Sequence, residues 1–546
     1  MSTPARYRWL ATRDEILAAP EVRRVGAASA FVRLVLGDGR PLIGALTIVF
    51  DGVAIQFGAS DARSAARLTE LHREPPVSLA SELPPSPAGC GFDVGRADLG
   101  LALESARRYR LPVARDRRAG EWVHPVVAVR DAAFFVRTLA QRNLGLGEAF
   151  LAGEFEMLRG SVHHFLGFIL LNGIDREIRL PAAQHARLLW QYVRSRAARS
   201  LNEDIAEHYD LGDNIMVPML GATGCYSCGY MEREDEDLDA MQLNKMNLIF
   251  SKMRLAPGMR VLDTGCGNGG MLVQAALAWG CDAEGFTNSY NMASLARRNA
   301  EANGVADRVR IQHADFGVLR RYPDQHFDAI YASGAWEHLS FGDYAVVIRE
   351  CYRILKPHGR MLIHGIGSHE AKHRRDGYIQ KYVFRDSNQI RLHLLLDQAR
   401  RHDLYVADVE NIGRHYYWTL WWWRRNLIEA YETDRSISER DFRVMVYFLE
   451  CGMAESRFGD GTVYQLLLFK DARDHRATWR VDGRIHEAGH GAVRAMPLLM
   501  KPCNANARLN NDSHAPAKAQ AAVYRKPGVA TRAAQLLRTF RDVTHQ

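Results

Sequence analysis

The chain has 546 residues, 47% of them hydrophobic and 25% charged, with a formal net charge of +8. That length exceeds a single ordinary core and predicts two or three domains, while the composition is that of a soluble globular protein. The longest apolar runs, Phe165–Leu171 and Tyr416–Trp423, are far too short for a bilayer span, and residues 1–20 lack the apolar segment of a signal peptide. Eight cysteines are scattered except for the pair Cys225 and Cys228. With no second Cys or His pair at ligand spacing, this usage argues against a disulfide framework or a metal site and for a reducing, cytoplasmic setting. Residues 471–546 hold 13 Lys or Arg against 6 Asp or Glu, so nearly all the positive excess lies there. The body is close to neutral, which argues against a nucleic-acid groove and for a basic appendage.

Residues 1–185 read as a smaller α+β domain. Val32–Leu36 and Pro41–Ile43 flank Gly37-Asp-Gly39 and read as a hairpin, and Thr47–Phe57 continues as strand. Asp61–Arg73 reads as a helix, and Pro75–Gly91, rich in Pro, Ser and Gly, as a loop. Trp122–Val129 follows as a strand and Ala132–Arg142 as a helix with Phe134, Phe135 and Leu139 on its apolar face. A further helix covers Ser161–Leu171.

Residues 186–470 alternate strand and helix at the spacing of a doubly wound parallel sheet. The predicted strands are Arg260–Leu262, Asp282–Thr287, Val309–His313, Ala329–Ser333 and Arg360–Ile366. Helices at Met271–Trp279, Asn291–Asn303 and Tyr344–Leu355 fill the gaps, and Lys356-Pro-His-Gly359 stops the last one. Residues 471–546 lack sustained periodicity and read as a largely disordered tail. Within it, Ala533, Leu536, Leu537, Phe540 and Val543 make an apolar stripe flanked by Arg532, Arg538 and Arg541. That pattern suits a basic amphipathic helix on a membrane surface, or equally a tail helix with no partner.

The densest signal is Val261-Leu-Asp-Thr-Gly-Cys-Gly-Asn-Gly-Gly270. A buried strand ends in Asp263, and Gly265, Gly267 and Gly269 allow a sharp turn and a close backbone approach to a ligand before the next helix. Open α/β sheets bind ligands at such strand ends. The spacing alone also admits a nicotinamide or flavin site, or a plain tight turn.

Other blocks fall in order around this loop. Upstream are His208-Tyr-Asp-Leu-Gly-Asp-Asn214 and Tyr226-Ser-Cys-Gly-Tyr230. Downstream are Gly285-Phe-Thr-Asn-Ser289, Asp315-Phe316, Gly334-Ala-Trp-Glu-His338, His364-Gly-Ile-Gly367 and His415-Tyr-Tyr-Trp-Thr-Leu420. From about Asn202 to Lys470 the sequence resembles the cyclopropane-fatty-acyl-phospholipid synthase family, which includes the mycolic acid cyclopropane synthases. Leu144-Gly-Leu-Gly-Glu-Ala-Phe150 and Gly153-Glu-Phe155 look like that family's amino-terminal, lipid-side domain.

The resemblance implies a Rossmann-like methyltransferase that uses S-adenosylmethionine to add a methyl group to the double bond of an unsaturated phospholipid acyl chain. The chemistry is demanding, because an alkene is a weak nucleophile, water must be excluded and a base must take a proton before the ring closes. In the family that base is thought to be bicarbonate, held by Cys228, Glu337, His364, Ile366 and Tyr416 when its positions are carried over. Tyr417 is a neighbouring alternative to Tyr416. The cofactor would lie against Tyr226, Ser227, Asp263, Gly265, Gly267, Gly269, Thr287, Asn288, Asp315 and Phe316.

Taken singly, Cys228, His364 and Tyr416 are equally readable as packing residues. Three positions depart from the family pattern: Asn268 replaces a common Trp, Met292 a Gln and Trp336 a Phe. The implied setting is cytoplasmic and peripheral on the inner membrane face, with phospholipid acyl chains as partner, no nucleic acid, and a homodimer allowed. The alternatives are a methylene- or methyl-branching product, an amine acceptor, a lipid-binding relative without catalysis and, more distantly, a nicotinamide oxidoreductase.

Overall fold

The computed structural model describes residues 8–37, 39, 41–58, 124–177, 213–233, 236–369, 376–384, 387–434 and 436–471, and the backbone of 478–481 and 484–487. The predicted helix at 61–73, the loop at 75–91, residues 208–212 and the helix at 531–543 lie outside these. In the tail, the backbone of Thr478–Val481 and Arg484–Glu487 forms an antiparallel pair, a local pairing that the expectation of a largely disordered tail did not include.

The amino-terminal sheet contains β1 (Arg8–Leu10), β2 (Ala45–Phe50), β3 (Val53–Gly58), β4 (Val126–Val129) and β5 (Phe155–Arg159), in the order β1-β3-β2-β4-β5. Two local expectations fail here. Val32–Leu36 belongs to the helix Gly26–Leu36, whose buried Ala28, Phe31, Val32 and Val35 follow helical spacing. The hairpin turns instead at Asp51-Gly52, both at positive φ (49° and 80°), which splits Thr47–Phe57 into β2 and β3. The helices Ala133–Gln141 and Val162–Leu171 fall where they were predicted.

The second sheet has seven strands. They are β6 (Arg260–Asp263), β7 (Asp282–Thr287), β8 (Val309–His313), β9 (Phe327–Ser333), β10 (Leu355–Ser368), β11 (Tyr405–Asn411) and β12 (Gly461–Phe469), in the order β11-β12-β10-β9-β6-β7-β8. Strands β6 to β10 are parallel, as predicted, while β12 runs antiparallel to both β10 and β11. Strand β6 pairs with β7 on one side and β9 on the other, so the winding reverses there. Such a reversal opens a crevice beyond the carboxyl ends of the strands.

One apolar core joins the two sheets. It contains Phe31, Phe134 and Phe165 from the amino-terminal region together with Trp423, Phe442 and Met445 from the helices Gly413–Thr433 and Glu439–Phe458. Glycine permits close contact at this junction, since a Cβ on Gly147 would meet the Tyr378 ring at 2.2 Å. A charged cluster is buried in the same place. Glu450 Oε2 lies 2.6 Å from His163 Nδ1, and Oε1 pairs with the Arg424 guanidinium. Among the described residues, no helix is long and apolar enough to cross a membrane.

Candidate active site

The parallel strands end side by side, and their register gathers the predicted cofactor residues at one edge. Asp263 closes β6 opposite Gly285, Thr287 closes β7 opposite His313, and Ser333 closes β9 opposite His364 of β10. The turn after β6 leads into the helix Gly270–Trp279. Gly267 and Gly269 have φ values of 52° and 79°, a region that side chains with a Cβ avoid. A Cβ on Gly269 would stand 2.8 Å from Ala296 Cβ, and one on Gly265 would stand 2.3 Å from Ala335 Cβ. The bare turn therefore closes onto the next helix and onto the turn after β9. Asp263 is buried, and loss of hydration pushes its carboxyl up to about 7 against the opposing effects of Tyr331, Lys245 and the Gly265 amide.

The remaining cofactor positions line the same edge. Thr287 Oγ1 accepts from the Ser289 N–H at 3.4 Å, and the Asn288 carbonyl lies 3.0 Å from His313 Nε2. Asp315 Oδ1 accepts from the Gly317 N–H at 2.8 Å, and Phe316 meets Phe286 edge-on with ring centroids 5.4 Å apart. Asn268 donates to the Gly224 carbonyl at 2.6 Å and accepts from Asn299 at 2.9 Å. It thereby ties the glycine turn to the segment that leads into Tyr226. Glu284 Oε1 instead accepts from Gln312 at 2.6 Å and from the Tyr322 hydroxyl at 2.8 Å. That acid falls short of the end of β7 and is engaged by Gln312 and Tyr322 rather than free for a ribose, which counts against the oxidoreductase reading.

Tyr226, Ser227, Cys228, Glu337, His364, Ile366 and Tyr416 line one cavity of about 420 Å³. Its wall continues over Phe31, Phe165, Leu166, Ile169 and Leu170 of the amino-terminal region, with polar groups at Asn143, Asp376 and Glu455. Gly334 joins cavity to cradle, since a Cβ there would stand 3.4 Å from Ser227 Cβ. Eight predicted cofactor residues, Asp263, Gly265, Gly267, Gly269, Thr287, Asn288, Asp315 and Phe316, are not part of this wall; they sit at or just beyond the strand ends.

Around Glu337 the cavity wall is set with neutral donors. Burial pushes the Cys228 thiol and the Tyr416 hydroxyl up, so both keep their protons. Burial, aided by the charges of Lys245 and Lys252, holds the His364 imidazole well below its usual range and neutral. Burial raises Glu337 up to about 7, opposed by the Ile366 N–H, which donates to Oε1 at 2.6 Å. Glu337 Oε2 and His364 Nε2 are buried and have no hydrogen-bond partner among the described residues. Ile366 thus reaches the site through Glu337, and its carbonyl accepts from the Ile390 N–H at 2.7 Å. Cys225 and Cys228 pack into different apolar clusters.

Several contributing residues carry no sequence signal. Fully buried Lys245 donates to Ser227 Oγ at 3.0 Å, and Ser227 Oγ lies 2.8 Å from Ser333 Oγ. Gln242 donates to the Ser227 carbonyl at 2.9 Å. Both project from the helix Leu238–Lys252, where a Lys and a Gln look like solvent-facing residues until the fold buries them. Gln465 stands beside His364 on β12, a strand absent from the sequence reading.

A doubly wound sheet with a Cβ-free turn at its switch point, beside a cavity with a largely apolar wall, suits an S-adenosylmethionine-dependent methyltransferase, the class that similarity to known proteins shows. The family model for mycolic acid cyclopropane synthetase matches residues 196–466. The chain is 29% identical over 348 residues to the cyclopropane-fatty-acyl-phospholipid synthase of Escherichia coli (strain K12), covering 62% of this chain and 87% of the relative. It is 31% identical over 320 residues to a probable fatty acid methyltransferase of Mycobacterium tuberculosis, covering 54% and 74% respectively. A solved cyclopropane synthase of the same organism matches 50% of this chain and 99% of its own, with 25% identity and a TM-score of 0.47. The chain belongs to the mycolic acid cyclopropane synthetase family.

Proposed function

We propose that this protein transfers the methyl group of S-adenosylmethionine to the double bond of an unsaturated phospholipid acyl chain and closes a cyclopropane ring. The observation that carries this reading is the single cavity that joins Cys228, Glu337, His364 and Tyr416 to the apolar side chains of Phe31, Leu166 and Ile169. An amine methyltransferase has no need of such a wall. When bound, S-adenosylmethionine supplies an electrophilic methyl group. The bare turn at Gly265–Gly269 and the side chains of Tyr226, Ser227, Asp315 and Phe316 suit its binding, and Trp336, fully buried, braces the turn through its Nε1 contact to Thr264 at 3.3 Å.

The chain's own residues orient the alkene and exclude water. A cavity with apolar walls strengthens every polar interaction within it and keeps solvent from a cationic carbon. Cys228, Glu337, His364 and Tyr416 would hold bicarbonate, which would supply the base for the last proton. The orphaned Glu337 Oε2 and His364 Nε2 support that assignment, because a small oxyanion with one hydroxyl satisfies both an acceptor and a donor. Substrate access from the bilayer makes this a peripheral enzyme of the inner membrane face, with phospholipid as its partner. A homodimer remains compatible with the reading.

The test uses purified protein, methyl-labelled S-adenosylmethionine and vesicles of a monounsaturated phospholipid. Label in an acyl chain that has lost its double bond supports the reading. Label confined to a headgroup amine, or no label with the cofactor bound, overturns it. A retained unsaturation in a labelled chain would identify the methylene-branching reaction instead.

A further inference from the structure

Three adjacent strands set Glu410, Gln465 and His364 in one row, Glu410 opposite Gln465 across β11 and β12, and Gln465 opposite His364 across β12 and β10. Register partners share a face of the sheet. Lys252, only 1% exposed, reaches this row from the end of its helix. Its ammonium lies 3.3 Å from Asp408, pairs more closely with Glu410, and donates to Gln465 Oε1 at 2.7 Å. Two carboxylates thus flank the head group of that lysine.

An ammonium donates and never accepts, so the contact orients the amide: Oε1 faces Lys252 and Nε2 faces His364. Gln465 Nε2 lies 3.3 Å from His364 Nδ1. The amide nitrogen likewise only donates, which makes Nδ1 the acceptor. A neutral imidazole with an accepting Nδ1 carries its proton on Nε2. The His364 Nε2 atom is buried without a partner among the described residues, and the ring lines the cavity. Burial, aided by the charges of Lys245 and Lys252, disfavours the charged ring, and the Gln465 contact then sets the tautomer.

We propose that Gln465, oriented by Lys252, is a positioning residue that fixes His364 as a neutral Nε2–H donor toward a small oxyanion in the cavity. The oxyanion's part in turnover rests on the proposed function above; the tautomer does not. With the opposite tautomer, the Nε2 lone pair would face the oxyanion and repel it. The relay crosses three strands and ends in a pair of carboxylates, so the donor is set by the sheet itself before any ligand arrives.

The test is a histidine-selective ¹⁵N spectrum of the full chain, with the His364 signals assigned by their loss in His364→Gln. The wild type is expected to show a protonated Nε2 and a bare Nδ1. Gln465→Met is expected to mix the two tautomers and to lower turnover about tenfold or more, with little change in cofactor affinity, as for other outer-shell partners of a working histidine. A wild type protonated at Nδ1 would overturn the proposal, and so would unchanged turnover in a Gln465→Met protein whose tautomers have mixed. If that variant does not fold, the wild-type spectrum still decides the tautomer. A wild type with Nε2–H and no methyl transfer to lipid would overturn the functional reading and uphold the tautomer.

Discussion

The Ile366 backbone N–H donates to Glu337 Oε1 at 2.6 Å, which leaves Oε2, in the cavity wall, as the oxygen without a partner among the described residues. A carboxyl held by one oxygen is aimed without being neutralised. Burial around it raises its titration up to about 7, where a modest change in pH changes its charge.

Glu337→Gln is expected to cut turnover about a hundredfold or more while leaving cofactor affinity nearly intact, because the amide oxygen still accepts from Ile366 but cannot take up charge. The pH sign follows from the raised carboxyl. The protonated form dominates below pH 7 and the ionised form above it, so wild-type turnover is expected to rise with pH through about 7. That limb is expected to be absent in Glu337→Gln. Steady-state rates from pH 6 to 8.5 check both points, and equal rates for the two proteins would remove Glu337 from the site.

Gly269→Ala tests the cofactor cradle. The residue sits at φ 79°, and an added Cβ would stand 2.8 Å from Ala296 Cβ. Left-handed backbone costs a non-glycine residue about 1–3 kcal/mol, which corresponds to a loss of affinity of roughly five- to 150-fold when the bound loop must keep that shape. Calorimetric titration with S-adenosylhomocysteine is expected to show that loss. Wild-type affinity would mean that the cofactor does not rely on this turn.

Glu450→Gln tests what joins the two sheets. Glu450 is fully buried between His163 and Arg424, and although burial opposes ionisation, those partners hold its carboxyl down at about 2. Removing the charge strands a buried guanidinium, a change that costs about 3–5 kcal/mol in comparable buried pairs. Urea denaturation is expected to give a midpoint shifted down accordingly. Because the native carboxyl is held below its unfolded value of 4.5, its stabilising contribution is present above that pH and fades as pH falls toward 2. The difference between the two proteins should therefore shrink on acidification.

These relationships divide clearly into what sequence patterns carry and what they do not. Strands β6 to β9 and their helices were legible because apolar runs end in glycine or acid and alternate with helical periods, as at Val261–Asp263 and Tyr344–Ile354. The five residues proposed to hold bicarbonate and the proposed cofactor positions became readable as a set only through the order of family blocks, since each alone is an ordinary packing residue. The helix Gly26–Leu36 was missed because Val32 and Val35 resemble a strand beside Gly37-Asp-Gly39. Lys245, Lys252, Gln465 and the Glu450 cluster were invisible for a general reason. Whether a polar side chain is buried is set by contacts between segments up to 287 residues apart, as between His163 and Glu450.

Ile169→Trp tests the acyl path. Ile169 lines the cavity from the helix Val162–Leu171, and the larger side chain takes space that a lipid chain would occupy. Turnover on phospholipid vesicles is expected to fall about tenfold or more, with the affinity for S-adenosylhomocysteine unchanged. Undiminished turnover would show that the acyl chain enters elsewhere.

The most direct measurement is mass spectrometry of phospholipid acyl chains from cells that express this protein and are fed methyl-labelled methionine. The expected result is a labelled chain heavier by one CH₂ unit and saturated by a ring, absent from cells expressing Glu337→Gln. Acyl chains without label, in cells where the folded protein binds its cofactor, would contradict methyl transfer to lipid.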